Sequence, residues 1–177
     1  MSRHDLSGFY SSQWKRPANV AVVVRTVSGS ILLSPDADGQ ASLPAGMVKS
    51  GEDPRSTAGR VLQATSLSLP LGRILAIDYQ QTPASPAEAI TFIYDGGTYD
   101  GGSLAAVAGG QAEFLAADLA LAGLGRPQSA QLKAALDAHE LLSVLELRDG
   151  QRIDTVQRDV PPRELLPDFD ATISSGS

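Results

Sequence analysis

Residues 18–33 constrain the fold more than any other stretch of this chain. The run Ala18-Asn19-Val20-Ala21-Val22-Val23-Val24-Arg25-Thr26 is rich in β-branched side chains, whose crowded Cβ suits a pleated sheet and disfavours a helix. Ser28-Gly29 then supplies a turn and Ile31-Leu32-Leu33 resumes the apolar pattern, so the segment predicts a hairpin within a sheet. A Pro35-to-Gly39 loop follows, and after Ser42-Leu43-Pro44-Ala45-Gly46 the start of a helix is well marked. Asp53 suits the N-cap and Pro54 the first helical position, which predicts a helix from Pro54 to Ser66. Gly59 in its interior weakens it by about 1 kcal/mol relative to Ala.

Two further apolar segments, Leu71–Tyr79 and Ala89–Tyr94, read as interior strands separated by a Pro83-to-Pro86 loop. The pairs Gly96-Gly97, Gly101-Gly102 and Gly109-Gly110 read as turns and loops, and 101–110 as a loose connection. Ala112–Ala116 predicts a short strand, and Pro127–His139 a helix with Leu132, Ala135 and Leu136 on one face. From Ser143 to Ile153 the pattern is a hairpin across a type I′ turn at Asp149-Gly150. Beyond Asp154 the chain is polar and Pro-containing, and 172–177 reads as a disordered end. The order of elements predicts an α/β (α+β) arrangement with a mixed sheet: an N-terminal segment 1–17, one domain over 18–150, and a C-terminal extension 151–177.

Composition narrows the chemistry. A chain of 177 residues, 42% of them hydrophobic, fits one domain with a real core. The absence of cysteine excludes disulfides, thiolate metal sites and cysteine nucleophiles. A net charge of −6 gives no general attraction to nucleic acid or anionic lipid, so a small ligand or a protein partner is favoured. No apolar run approaches the ~20 residues of a membrane helix and residues 1–12 lack a signal-peptide core, which predicts a cytoplasmic protein. Neither His4 nor His139 has a second His at metal-ligand spacing, and the Gly-x-Ser-x-Gly, P-loop and Gly-x-Gly-x-x-Gly motifs are absent. Phe9, Tyr10 and Trp14 form the one aromatic concentration, expected to anchor the N-terminal segment or mediate dimerisation.

The segment Leu43-Pro44-Ala45-Gly46-Met47-Val48-Lys49-Ser50-Gly51-Glu52-Asp53-Pro54-Arg55, with Arg60 after it, resembles the signature loop and helix of the Nudix hydrolases. That signature is a Gly, five residues, a Glu, seven residues, then Arg-Glu-apolar-any-Glu-Glu-any-Gly, and Gly46, Glu52 and Arg60 stand at its spacing. The strands at 71–79 and 90–97, Glu113-Phe114-Leu115 and the helix around 131–136 are similar to their counterparts in actinobacterial Nudix proteins. The resemblance spans roughly 19–147 and implies a Nudix-type α/β/α sandwich around a mixed sheet.

The departure from the signature is as informative as the match. Only six of the acidic residues are Glu, and after Arg60 the chain reads Val61-Leu62-Gln63-Ala64-Thr65 where the family has three glutamates, at the positions of Val61, Ala64 and Thr65. The closing Gly is replaced by Leu67, with Ser66 able to take the turn. In the family those carboxylates, at i, i+3 and i+4 on one helical face, hold Mg²⁺ or Mn²⁺ under a diphosphate. Two methyl-bearing side chains and one hydroxyl make no such platform. The retained Gly46 and Gly51 are expected to serve a loop of unusual backbone angles, Glu52 and Arg60 to tie loop to helix as an ion pair, and Val61 and Ala64 to pack or to line a drier cleft. Glu88, just before a strand, with Asp95, Asp100 and Glu113, are the acids available to rebuild a metal site, and Lys49, Tyr79 and Glu88 the candidate ligand contacts.

Three functions stay open on this reading. The leading one is a catalytically impaired Nudix-type protein that binds a nucleotide-like or other phosphorylated small ligand, with no catalytic residue assigned, no metal and no cofactor, and with self-association as a homodimer left open. The second is a divergent hydrolase that uses Mg²⁺ or Mn²⁺ in a rebuilt site, and the third a structural or dimerisation module.

Overall fold

The structure, a computed structural model, describes residues 16–81, 88–100 and 112–153. The expectations for His4, for the N-terminal aromatic residues, for the 83–86 loop, for the 101–110 connection and for the tail past Asp154 lie outside the described residues.

β-branched Ala18–Thr26 forms β1, the longest-range organiser of the sheet. It pairs antiparallel with β2 (Ile31–Pro35) through Arg25 and Ile31, and the turn between them uses Gly29 at φ +86°. Two short strands that the sequence did not signal follow: β3 (Ala41–Ser42) beside β2, and β4 (Ala45–Met47) beside the first half of β1. Helix α1 (Pro54–Ala64) starts where expected, with the Asp53 carboxylate accepting from the Ser56 amide at 2.9 Å, and ends two residues early. Thr65 caps it and Ser66 takes the left-handed turn at φ +60°, the residue beside the missing Gly position.

β5 (Ile74–Gln80) and β6 (Ala89–Tyr99) are interior strands, β5 starting three residues later than its apolar pattern suggested. The reading of Gly96-Gly97 as a turn is corrected by the structure: β6 runs through both. A Cβ on Gly96 would stand 2.6 Å from Val22 and from Val24 side-chain carbons, and Gly97 sits at φ +85°, so both are needed to keep an irregular strand pressed on β1. β7 (Glu113–Leu115) returns to pair with β2. A short helix α2 (Ala117–Gly123), unsignalled in the sequence, leads to α3 (Arg126–Glu140), and the hairpin β8 (Leu145–Arg148)/β9 (Gln151–Arg152) closes the fold. Asp149 and Gly150 both have positive φ, as a type I′ turn requires.

The strands form one mixed sheet in the order β3-β2-β1-β6-β5-β8-β9, with β4 beside β1 and β7 beside β2; the β1–β6 and β5–β8 pairs are parallel. Alternation along each strand splits the core in two. Val20, Val22, Val24, Leu32 and Tyr94 pack under α1 through Ala58, Val61 and Leu62. On the other face Ala21, Val23, Leu33, Leu75 and Ile93 pack against α2 and α3 through Ala120, Leu132, Ala135 and Ala138. The expected α/β/α layering is thus observed, with α1 the one helix on its side among the described residues.

Candidate functional site

The loop from Pro44 to Asp53 is stitched to β1 before it enters α1. Val22 N–H donates to Pro44 O at 2.8 Å and Val48 N–H to Ala18 O at 2.9 Å, and β4 pairs with Asn19–Ala21. Gly46 lies so close to α1 that a Cβ there would approach Val61 Cγ2 to 2.8 Å. Its backbone φ is not positive, so contact with the helix, rather than an unusual angle, is what requires glycine at 46; the angle explanation holds for Gly51, at φ +83°.

Glu52 is consumed by its surroundings. Arg60 grips its carboxylate with Nε at 3.1 Å and Nη2 at 2.8 Å, the buried Thr57 hydroxyl donates at 2.9 Å, and the Lys49 amide at 3.2 Å. The Arg60 and Thr57 hydrogen bonds hold its carboxyl down at about 2. Arg60 also donates to Met47 O at 3.2 Å, so the pair clamps both ends of the loop to the helix, and Arg55 fastens the same helix to Leu71 O and Gly72 O beyond it.

On the helical face past Arg60, Val61 is 6% exposed and packed into the α1-side core. Ala64 is exposed, and the buried Thr65 hydroxyl donates to Leu62 O at 2.7 Å, a local helix-end bond that occupies its proton. A cleft of about 210 Å³ lies over this face, lined by Ser34, Pro44, Ala45, Arg60, Val61, Ala64 and Thr65. Its donor set does not fit a divalent cation: among the described residues no carboxylate lines it and no group of three or more His, Asp or Glu gathers, and Glu52 is held by Arg60.

The other acids are dispersed. Glu88 pairs with Arg16. Asp95 lies 3.9 Å from Arg25 and 3.8 Å from His139, on the α3 side of the sheet, and its Oδ1 accepts from Gly97 N–H at 3.0 Å. Asp100 and Glu113 are exposed. Of the candidate ligand contacts, Lys49 is exposed at the loop tip, and Tyr79 points to the face of β5 opposite Gln80; neither lines a cleft at the loop.

A second, larger cleft of about 550 Å³ opens on the other side of β4, between the sheet and α3, and meets the first at Ala45. Among the described residues its polar lining is uncharged apart from Asp36: Asn19, Ser42, Gln80, Thr91, Gln128 and Gln131. Gln128 is fixed by accepting from Leu43 N–H at 2.9 Å and donating to Ser42 Oγ at 3.1 Å. Gln131 donates to Asp78 Oδ2 at 2.8 Å, and Gly150 N–H donates to Asp78 Oδ1 at 3.1 Å, so a wholly buried carboxylate ties β5, α3 and the last hairpin together. These residues were not singled out from the sequence. The available signal was polar residues inside strand patterns: Asn19 beside a valine run, Thr91 within Ile-Thr-Phe-Ile, and Asp78 within Ala-Ile-Asp-Tyr.

A mixed sheet sandwiched between α1 and the α2–α3 pair, with a loop-to-helix clamp on its α1 side, is the Nudix fold. The Nudix domain of Shewanella oneidensis NrtR, solved with ADP ribose, matches with a TM-score of 0.62 and 17% identity, over 81% of this chain and 100% of that one. The MutT protein of Methanosarcina mazei matches at 0.54 and 15% identity over 73% and 99%. An ADP-ribose pyrophosphatase of Streptococcus suis matches at 0.51 and 16% over 76% and 99%. No family model matches the chain, and no curated protein matches it in sequence. Among the described residues no helix is long and apolar enough to cross a membrane.

Proposed function

We propose that this chain is a member of the Nudix superfamily that has kept the fold's loop clamp and cleft without its carboxylate platform. It binds a nucleotide-like or other phosphorylated small ligand in the cytoplasm and does not hydrolyse it by metal-dependent chemistry, acting as a regulatory or accessory protein. One observation carries this reading: the α1 face after Arg60 presents a packed Val61, an Ala64 methyl and a Thr65 hydroxyl spent on its own helix. Diphosphate cleavage needs the developing charge neutralised, and losing even one preorganised oxyanion contact costs roughly 3 kcal/mol, or about a hundredfold in rate. An entire platform costs far more. The ADP ribose bound by the fold neighbour NrtR supports a ligand of this class in the cleft.

A thermal-shift screen of nucleoside diphosphate derivatives, run with and without Mg²⁺ and Mn²⁺, tests the reading. The expected result is stabilisation by a ligand at equal concentration dependence in metal and in EDTA. Stabilisation that appears only with metal contradicts it and points to a rebuilt hydrolytic site.

A further inference from the structure

We propose that the chain's own segment 154–169 docks on an apolar corner formed by Leu141, Leu142 and Val144 at the C-terminal end of α3. The corner lies at the opposite end of α3 from Gln128 and Gln131, which line the larger cleft, so the inference is independent of what that cleft binds.

The corner is costly to leave bare. Leu141, Leu142 and Val144 are 57%, 82% and 49% exposed, a cluster of large apolar side chains within one short stretch. Single exposed apolar residues are ordinary, whereas a contiguous group of them marks a contact surface. The backbone points the same way. α3 ends in a Schellman motif, with Ser143 N–H donating to Ala138 O at 3.1 Å and Leu142 N–H to His139 O at 3.4 Å, and Leu142 takes its left-handed position at φ +51°. Glycine is the residue that position favours; leucine strains the backbone there and holds its side chain out in water. An apolar partner gives that leucine a physical reason.

The end of the described chain is aimed at this corner. β9 pairs with β8 through Arg148 with Gln151 and Leu147 with Arg152, and Ile153 N–H then donates to Glu146 O at 2.9 Å. The same register carried on sets Asp154 opposite Leu145 and Thr155 opposite Val144. β5 occupies the other side of β8, so the edge along which the chain leaves has no strand partner past Ile153 among the described residues. The segment carries Val156, Val160, Leu165, Leu166 and Phe169. Ten extended residues reach about 33 Å, so the chain from Thr155 is long enough to bring Leu165 and Leu166 back over Leu142. Tethered this closely, the segment meets the corner at an effective concentration of about millimolar. A second copy of the chain is the poorer occupant, since a stable interface takes about 20–30 residues a side and this corner is one helix end.

The chain has no cysteine, so Asp168→Cys gives the full-length protein a single attachment point for a nitroxide spin label. Paramagnetic broadening of amide signals is expected at 140–146 and absent from the turn at Val27, an exposed apolar residue elsewhere on the surface. A mixture of labelled, unenriched protein with unlabelled, ¹⁵N-enriched protein should show none of it, which separates contact within one chain from contact between copies. Leu142→Gly suits the left-handed backbone and keeps the helix end, and it should lower the ratio of docked to free segment about tenfold, the worth of a buried leucine. The proposal is overturned if amides 140–146 are not broadened, if the mixture broadens them equally, or if Leu142→Gly leaves their broadening unchanged.

Discussion

Val61→Glu places a carboxylate where the Nudix signature has one, and the structure says what it should do to this chain. Val61 is 6% exposed and sits in the apolar layer with Ala58, Leu62 and Val20, with Gly46 pressed against its Cγ2. The substitution forfeits burial of a Val side chain, about 1.5–3 kcal/mol, and adds the desolvation of an ionised group, offset in part because the side chain borders a cleft and can lean toward water. A net loss of about 2–4 kcal/mol at neutral pH follows, or roughly 5–12 °C in Tm for a domain of this size. The sign of the pH dependence is fixed: burial raises the folded-state pKa of the new carboxyl, so the variant's deficit relative to the parent grows as pH rises above the ordinary carboxylate range and shrinks on acidification. Paired urea melts of parent and variant at pH 5 and pH 7 measure it. A variant within about 0.5 kcal/mol of the parent at both pH values would show that position 61 is an open polar platform, and the account of this helical face would be wrong.

Gly46→Ala should cost about 1–3 kcal/mol in a urea melt, because its Cβ meets Val61 Cγ2 at 2.8 Å, and pairing it with Val61→Ala should recover much of the loss. Glu52 is held near 2 from an ordinary 4.5, so its contribution to stability is complete above about 4.5 and fades as pH falls toward 2; in Glu52→Gln that part of the acid-denaturation profile should flatten. Gln131→Leu removes one of the two donors to the buried Asp78 and should destabilise the fold by about 1–3 kcal/mol in a thermal or urea melt, with Gln131→Glu worse through like charge.

The longer strands and the helices α1 and α3 were legible because their signals are local, whereas the short α2 was not. A β-branched run, an Asp-Pro helix start and an Asp-Gly turn each carry their own backbone preference, and the structure places β1, α1 and the last hairpin where those preferences put them. β3 and β4 left no signal since two- and three-residue strands exist only through their partners, and Gly96-Gly97 misled because an irregular strand and a turn ask the same freedom of glycine. At the site, the Glu52–Arg60 pair was readable only through the resemblance to the Nudix signature, and the structure brings the two together across loop and helix. The amide-lined cleft was not: Asn19, Gln80, Thr91 and Gln131 come from four elements, and the contacts that join them span long sequence separations. The one clue, polar residues at interior strand positions, marks a site only once the strand order is known.

The most direct test of the central claim is the rate at which the purified protein converts ADP ribose to AMP and ribose 5-phosphate in Mg²⁺ or Mn²⁺, at a protein concentration where binding of a diphosphate ligand has been established. An α1 face without carboxylates predicts no conversion above the protein-free rate, and no metal dependence of binding. Turnover that requires the metal and disappears in EDTA would contradict it.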